Sequence, residues 1–196
     1  MNVKTDWMQT YTGRRIYPLD PSSDDIYIED IAHALSLMCR FGGHCREFYS
    51  IAQHSVLVSQ YCKDKLYGLL HDAEEAYLTD MIRPVKRSLL LLGVTVFEDA
   101  AFNLFQAIAY RFGLLLTDEA VQDVKKWDNI LLSTEARDVM PPMADGTKWT
   151  SVDLLEVLQE RIDALFEQNR ILRPAIRPFA AYHKANRFDA GEADDQ

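Results

Sequence analysis

The residues best suited by type and spacing to do chemistry are His54, the adjacent pair His71-Asp72, and Asp128. The pair opens the run His71-Asp72-Ala73-Glu74-Glu75 behind Leu69-Leu70, and His54 stands 17 residues earlier in a stretch with apolar neighbours. Two helices joined by a short turn run antiparallel, so that separation can bring both imidazoles to one mouth. Asp128 lies in Trp127-Asp128-Asn129-Ile130-Leu131-Leu132, where an ionised carboxylate needs a cation or a donor to offset its apolar neighbours. The two nitrogens and two oxygens of this set suit one divalent transition metal (Mn²⁺, Co²⁺, Ni²⁺, Fe²⁺ or Zn²⁺) and leave octahedral positions for water and substrate. That arrangement serves metal-assisted hydrolysis. His44 competes for a ligand role, although Gly42-Gly43 puts it in a loop, and His33 and His183 read as structural or exposed.

The elements that must carry these residues are helical. From Asp24 onward apolar residues recur at three and four, which predicts an all-α bundle of about six to eight helices. Helices are expected at roughly 28–40, 50–62, 65–78, 95–112, 118–138 and 151–168. Gly42-Gly43 separates the first two, Pro84 stops the third region, Gly113 follows the fourth and Pro141-Pro142 ends the fifth. Ser151 is the expected N-cap of the sixth. Thr10 to Pro18 reads as a short N-terminal hairpin. The organisation expected is a segment 1–23 packed on the domain, a helical domain 24–172, and an irregular wrap with an acidic tail over 173–196. The fourth helix, with Phe97, Phe102, Phe105 and Phe112, reads as core rather than interface.

Composition bounds the function. A chain of 196 residues, 48% hydrophobic and 26% charged, is ordinary globular composition, which excludes collagen-like, low-complexity and wholly disordered chains. The net charge of -9 argues against a nucleic-acid polymer or an anionic membrane as partner. Asp189, Glu192, Asp194 and Asp195 belong to the expected tail, so the body is only mildly acidic. Cys39, Cys45 and Cys62 form no CxxC pair, and the start of the chain has no apolar run behind a basic segment. Both point to a cytoplasmic protein without signal peptide or membrane anchor.

The string His54, His71-Asp72, Asp128 resembles the H…HD…D signature of the HD-domain metal-dependent phosphohydrolases. Phe48 to His54, His71 to Tyr77, Thr79-Asp80, Arg83-Pro84-Val85-Lys86 and Ser133 to Asp138 look like the branch with bacterial 5′-deoxynucleotidases. Prophage-encoded HD proteins and the dATP triphosphohydrolases of phages that replace adenine with 2-aminoadenine are closer still. The resemblance spans about residues 8 to 170. It implies metal ligation by His54, His71, Asp72 and Asp128, with Glu75 orienting or deprotonating the attacking water. Asp80 would read the sugar edge against a 2′-hydroxyl. Arg40-Phe41 looks like the family's pair in which an arginine grips phosphate and an aromatic ring contacts the nucleoside, with Phe41 in place of the usual tryptophan. Pro84 and Lys86 fall in the substrate-binding segment, and Arg83, Lys86 and Arg14 are the candidate cations for β- and γ-phosphates.

The resemblance therefore implies hydrolysis at the 5′-phosphate of 2′-deoxynucleotides, with dATP to deoxyadenosine and triphosphate favoured over dNMP to deoxynucleoside and phosphate. Mg²⁺ can accompany the triphosphate. The rival is an inactive HD module that binds a nucleotide without turnover. A homo-oligomer in the cytoplasm, the host's if the chain is phage-encoded, is also implied. Glu74 projects about 100° from Glu75 and reads as a solvated carboxylate. Trp127 and Tyr77 read as packing residues.

Overall fold

Why the expected helices form is visible at their ends. In the computed structural model, which describes residues 6–146, Ser50 caps the helix Ile51–Tyr61 (α2) through a capping box with Gln53. Before it lie a hairpin, Met8–Gln9 (β1) with Arg15–Ile16 (β2), and the helix Ile28–Leu37 (α1). After it come Lys65–Leu70 (α3), Glu75–Leu78 (α4), Arg83–Leu91 (α5), Val96–Phe112 (α6) and Asp118–Val139 (α7). Asp64 caps α3 and Thr117 caps α7, each accepting a backbone N–H three residues on. The architecture is all-α with a small two-stranded hairpin, as the periodicity predicts.

The helix α2 is the centre of the bundle. It packs against α1, α3 and α7, and α1 packs in turn on α4. Ile31, Leu35, Ile51, Leu57, Val58, Leu70 and Leu131 are buried in that core, each stabilising the fold by about 1.5–3 kcal/mol on removal from water. The antiparallel hairpin pairs Met8 with Ile16 and Gln9 with Arg15. Buried Asp30 of α1 ties it down by accepting from the Thr12 N–H (2.7 Å) and hydroxyl (3.0 Å).

Four expectations need correction. The first helix ends at Leu37, not 40: Cys39 forms an antiparallel bridge with Ser50, and the Arg40 N–H donates to the Tyr49 carbonyl at 2.8 Å. Hydrogen bonds between two segments of the chain replace helical ones there. The region 65–78 is two helices, because residues 71–74 wind with i to i+3 bonds such as Ala73 N–H to Leu70 O (3.0 Å). Pro84 does not stop that region. The chain leaves α4 at Thr79, with φ 73°, and Pro84 sits in the first turn of α5, a helix not anticipated, where its missing N–H costs nothing. Core packing of α6 comes from Leu104, Ile108 and Ala109, whereas Phe102 is 62% exposed. The C-cap Gly113 of α6 has φ 67°, as its position after the helix predicts, and lets the Leu114 N–H reach back to the Ala109 carbonyl. The sixth expected helix, its cap Ser151, and the wrap and tail lie outside the described residues. No helix among the described residues is long and apolar enough to cross a membrane.

Candidate metal centre

The imidazole of His54 is fully buried on α2, and α7 reaches it from both sides. Glu135 lies 2.9 and 3.0 Å from Nδ1, while Asp128, two helical turns earlier, lies 3.3 Å from Nε2. His71, at the C-terminal end of α3, faces His54 with ring centroids 5.2 Å apart. Its Nδ1 lies 2.8 Å from the Gly68 carbonyl. A carbonyl can only accept, so Nδ1 carries a proton and Nε2 is the atom turned inward.

Asp72 completes the group. Its Oδ2 stands 3.2 Å from Nε2 of His71 and 3.8 Å from Nε2 of His54. Both Nε2 atoms are buried and neither makes a hydrogen bond. Two enclosed imidazole nitrogens, each with its other nitrogen fixed by an acceptor and both facing the Asp72 carboxylate, match how proteins prepare histidines for a cation. His54, His71 and Asp72 have ligand atoms within 4.8 Å of one another and could hold a metal ion. Asp128 adjoins this trio at His54, but its second oxygen is taken by Arg83 Nη2 at 3.2 Å.

The charge balance divides the carboxylates into two sets. Burial alone would raise the Asp72 pKa, but His71, His54 and Arg40 outweigh it and hold the acid well below the usual range. Asp128 and Glu135 are likewise lowered against burial, in both cases by His54 and for Glu135 also by Arg40. Burial and the Asp72 charge instead push Glu74 up to about 8 and Glu75 up to about 10. Asp80 is raised, by burial first and by Asp72, against the pull of Arg40 and Lys86. For His71, burial works downward, yet the Asp72 and Asp128 charges raise it to about 9.

The other expected site residues fall around this group unequally. Arg40 is buried at 7% exposure, so it is no surface charge: its Nη1 lies 3.7 Å from Asp72 and its Nε 3.2 Å from Glu135. Phe41 follows with its ring centroid 5.4 Å from that guanidinium and φ 57°, a left-handed backbone that costs a bulky residue about 1–3 kcal/mol. Glu75 is buried in the first turn of α4, with Lys86 Nζ 3.5 Å from Oε1 and its Oε2 enclosed without a hydrogen bond. Because 71–74 is tightly wound, Glu75 does not stand one α-helical turn above His71 as a continuous helix would have it. Asp80 is half-buried just beyond α4, within electrostatic reach of Arg40 and Asp72. Pro84 is exposed and acts as a helix starter.

Residues outside the expected set also settle. Glu74 is not a solvated carboxylate, since its Oε2 is enclosed with no hydrogen-bond partner. Arg83 serves Asp128 and Asn129, and Arg14 lies over the Tyr27 ring at 3.7 Å while donating to Thr12. His44 is exposed and His33 stacks on Tyr11 at 3.6 Å. Trp127 packs on Tyr61, and Tyr77 is buried. His183 lies outside the described residues. Glu135 carries no role in the sequence reading, although one signal was present: it lies seven residues from Asp128, on the same face of a long helix.

Fold and site together define an all-α protein with a His/His/Asp group, His54 buried and His71 and Asp72 half-buried, able to take a cation. No family model matches the chain. It is 39% identical over 145 residues to the uncharacterized protein YfdR of Escherichia coli (strain K12), covering 73% of this chain and 76% of YfdR. An uncharacterized protein of Rhodobacter capsulatus is 35% identical over 150 residues, covering 70% of this chain and 74% of that one. The chain belongs to the family that contains these two proteins.

Proposed function

We propose that this chain is an HD-type, metal-dependent phosphohydrolase acting at the 5′-phosphate of 2′-deoxynucleotides. The observation that carries the reading is the pair of buried Nε2 atoms of His54 and His71, neither of them hydrogen-bonded, that both face the Asp72 carboxylate. His54, His71 and Asp72, with Asp128 alongside, would hold one divalent transition ion (Co, Mn, Zn, Ni or Fe). When bound, such an ion supplies Lewis acidity, drawing charge off phosphate oxygens and acidifying water.

The chain's own residues do the rest. Arg40, buried and fixed, offers its guanidinium to an α-phosphate oxygen, and Phe41 offers a ring to the nucleoside. Glu75 takes the proton of the attacking water as the new oxygen–phosphorus bond forms. The bond from phosphorus to the 5′-oxygen breaks, and that proton passes to the leaving oxygen. A cation near Asp72 would remove one cause of the high Glu75 pKa. Asp80 faces the sugar edge.

With dATP the products are deoxyadenosine and triphosphate, Mg²⁺ accompanying the substrate, and this is the form favoured by the resemblance. One observation favours the second form, a 5′-deoxynucleotidase releasing phosphate from dNMP. Of the three cations expected to hold β- and γ-phosphates, Arg14 lies over Tyr27 and Arg83 is held by Asp128 and Asn129, which leaves Lys86, paired with Glu75. The reading includes a cytoplasmic homo-oligomer. The test is chromatography of products after metal-stripped protein is given Mn²⁺ or Co²⁺ with dATP, dAMP or ATP, beside Asp72→Ala. Deoxyadenosine plus triphosphate supports the first form and turnover of dAMP alone the second. Metal uptake with no turnover of any nucleotide would make the protein a binding module.

A further inference from the structure

Arg40 and His54 end on the same buried carboxylate. Glu135 is 0% exposed, and three segments converge on it: the Tyr49 hydroxyl donates to Oε1 at 2.8 Å, Nδ1 of His54 reaches both oxygens, and Nε of Arg40 stands 3.2 Å from Oε2. Burying a carboxylate for packing alone is poor economy of free energy, because apolar residues of similar volume hold a core as well or better. Here the charge has two targets. The residues on either side of the His54 ring come from one rigid helix, Asp128 at Nε2 and Glu135 at Nδ1. An acceptor at Nδ1 selects the tautomer with a bare Nε2 and makes that nitrogen more basic.

We infer that Glu135 is a positioning residue that joins the two halves of the centre, aiming His54 at the metal and holding Arg40 where it grips phosphate. This rests on the phosphohydrolase reading. Glu135 touches neither water nor substrate; it acts through the two residues it anchors. Replacing it by an amide keeps the volume and removes the charge that both depend on.

The experiment uses the full chain, metal-stripped, titrated with Co²⁺ by calorimetry and then, loaded, with inorganic phosphate. Glu135→Gln is expected to weaken Co²⁺ binding about 10- to 100-fold and to weaken phosphate binding as well. In an Arg40→Gln background, Glu135→Gln should leave phosphate binding where Arg40→Gln set it, yet still weaken Co²⁺. Wild-type Co²⁺ affinity in Glu135→Gln, or a further loss of phosphate binding in the double variant, overturns the inference. If Glu135→Gln does not fold, ¹⁵N spectra of the Zn²⁺-loaded wild-type chain decide: metal on Nε2 of His54 with a protonated Nδ1 is expected, and metal on Nδ1 overturns it. These readouts are independent of turnover. A wild-type chain inert toward every nucleotide defeats the phosphohydrolase reading while Co²⁺ affinity still reports on Glu135.

Discussion

Nζ of Lys86 lies 3.5 Å from Oε1 of Glu75, joining the first turn of α5 to the first turn of α4. The acid proposed to handle the water proton thus has a cation beside it and is otherwise buried. Glu75→Gln is expected to lower kcat about 10²- to 10⁴-fold with metal content by elemental analysis unchanged. Unaltered kcat would remove Glu75 from the chemistry.

Metal binding to the His54, His71 and Asp72 group should appear as stability, because the unfolded chain has no such group. A divalent ion at 100 times its Kd adds about 2.7 kcal/mol, a rise of several degrees in the Tm of the stripped protein. Asp72→Ala should abolish most of that rise. An equal rise in the variant would move the ion elsewhere.

Arg83 grips Asp128 and Asn129 rather than standing free. Arg83→Ala should therefore weaken metal binding through a loosened Asp128 and leave nucleotide KM near wild type once the metal saturates. A large KM increase at saturating metal would instead make Arg83 a phosphate ligand.

Gly68 is where α3 touches α2. A Cβ there would lie 2.9 Å from Ser59 Cα and 3.1 Å from Cys62 Cβ and Sγ. Gly68→Ala is expected to cost about 1–3 kcal/mol as overpacking, read as a lower urea midpoint. It should also weaken Co²⁺ binding, because the Gly68 carbonyl holds Nδ1 of His71. Wild-type stability would mean the two helices separate freely.

Burial pushes the Cys62 thiol up to about 11, helped by Asp123 and Asp64, and pushes Cys45 up to about 12, helped by Cys39. Between the ordinary thiol pKa of 9.0 and those values the native chain keeps protons that the unfolded chain has released. This contribution to stability is complete below pH 9 and declines as pH rises through about 11. The urea midpoint should fall steadily from pH 8.5 to pH 11, and less steeply in Cys62→Ala. A flat profile contradicts the burial of these thiols.

The sequence by itself determined the helical class, most helix positions, and the approach of His54 to His71. Those follow from periods, caps and residue chemistry, which are local. Gly113 marks a helix end in the sequence because the groups it lets pair lie within a few residues. Spacing likewise placed His54 opposite His71. The tertiary structure alone decided where a helix gives way to bonds between separate segments, as at Arg40 and Tyr49, and where winding tightens, as at residues 71–74. Neither appears in a period. It also decided which charges find each other: Glu74 enclosed, Arg83 held by Asp128, and Glu135 beneath His54 and Arg40. A carboxylate's role depends on what packs around it in three dimensions, and residues 40, 54 and 135 meet only when three separate segments fold together.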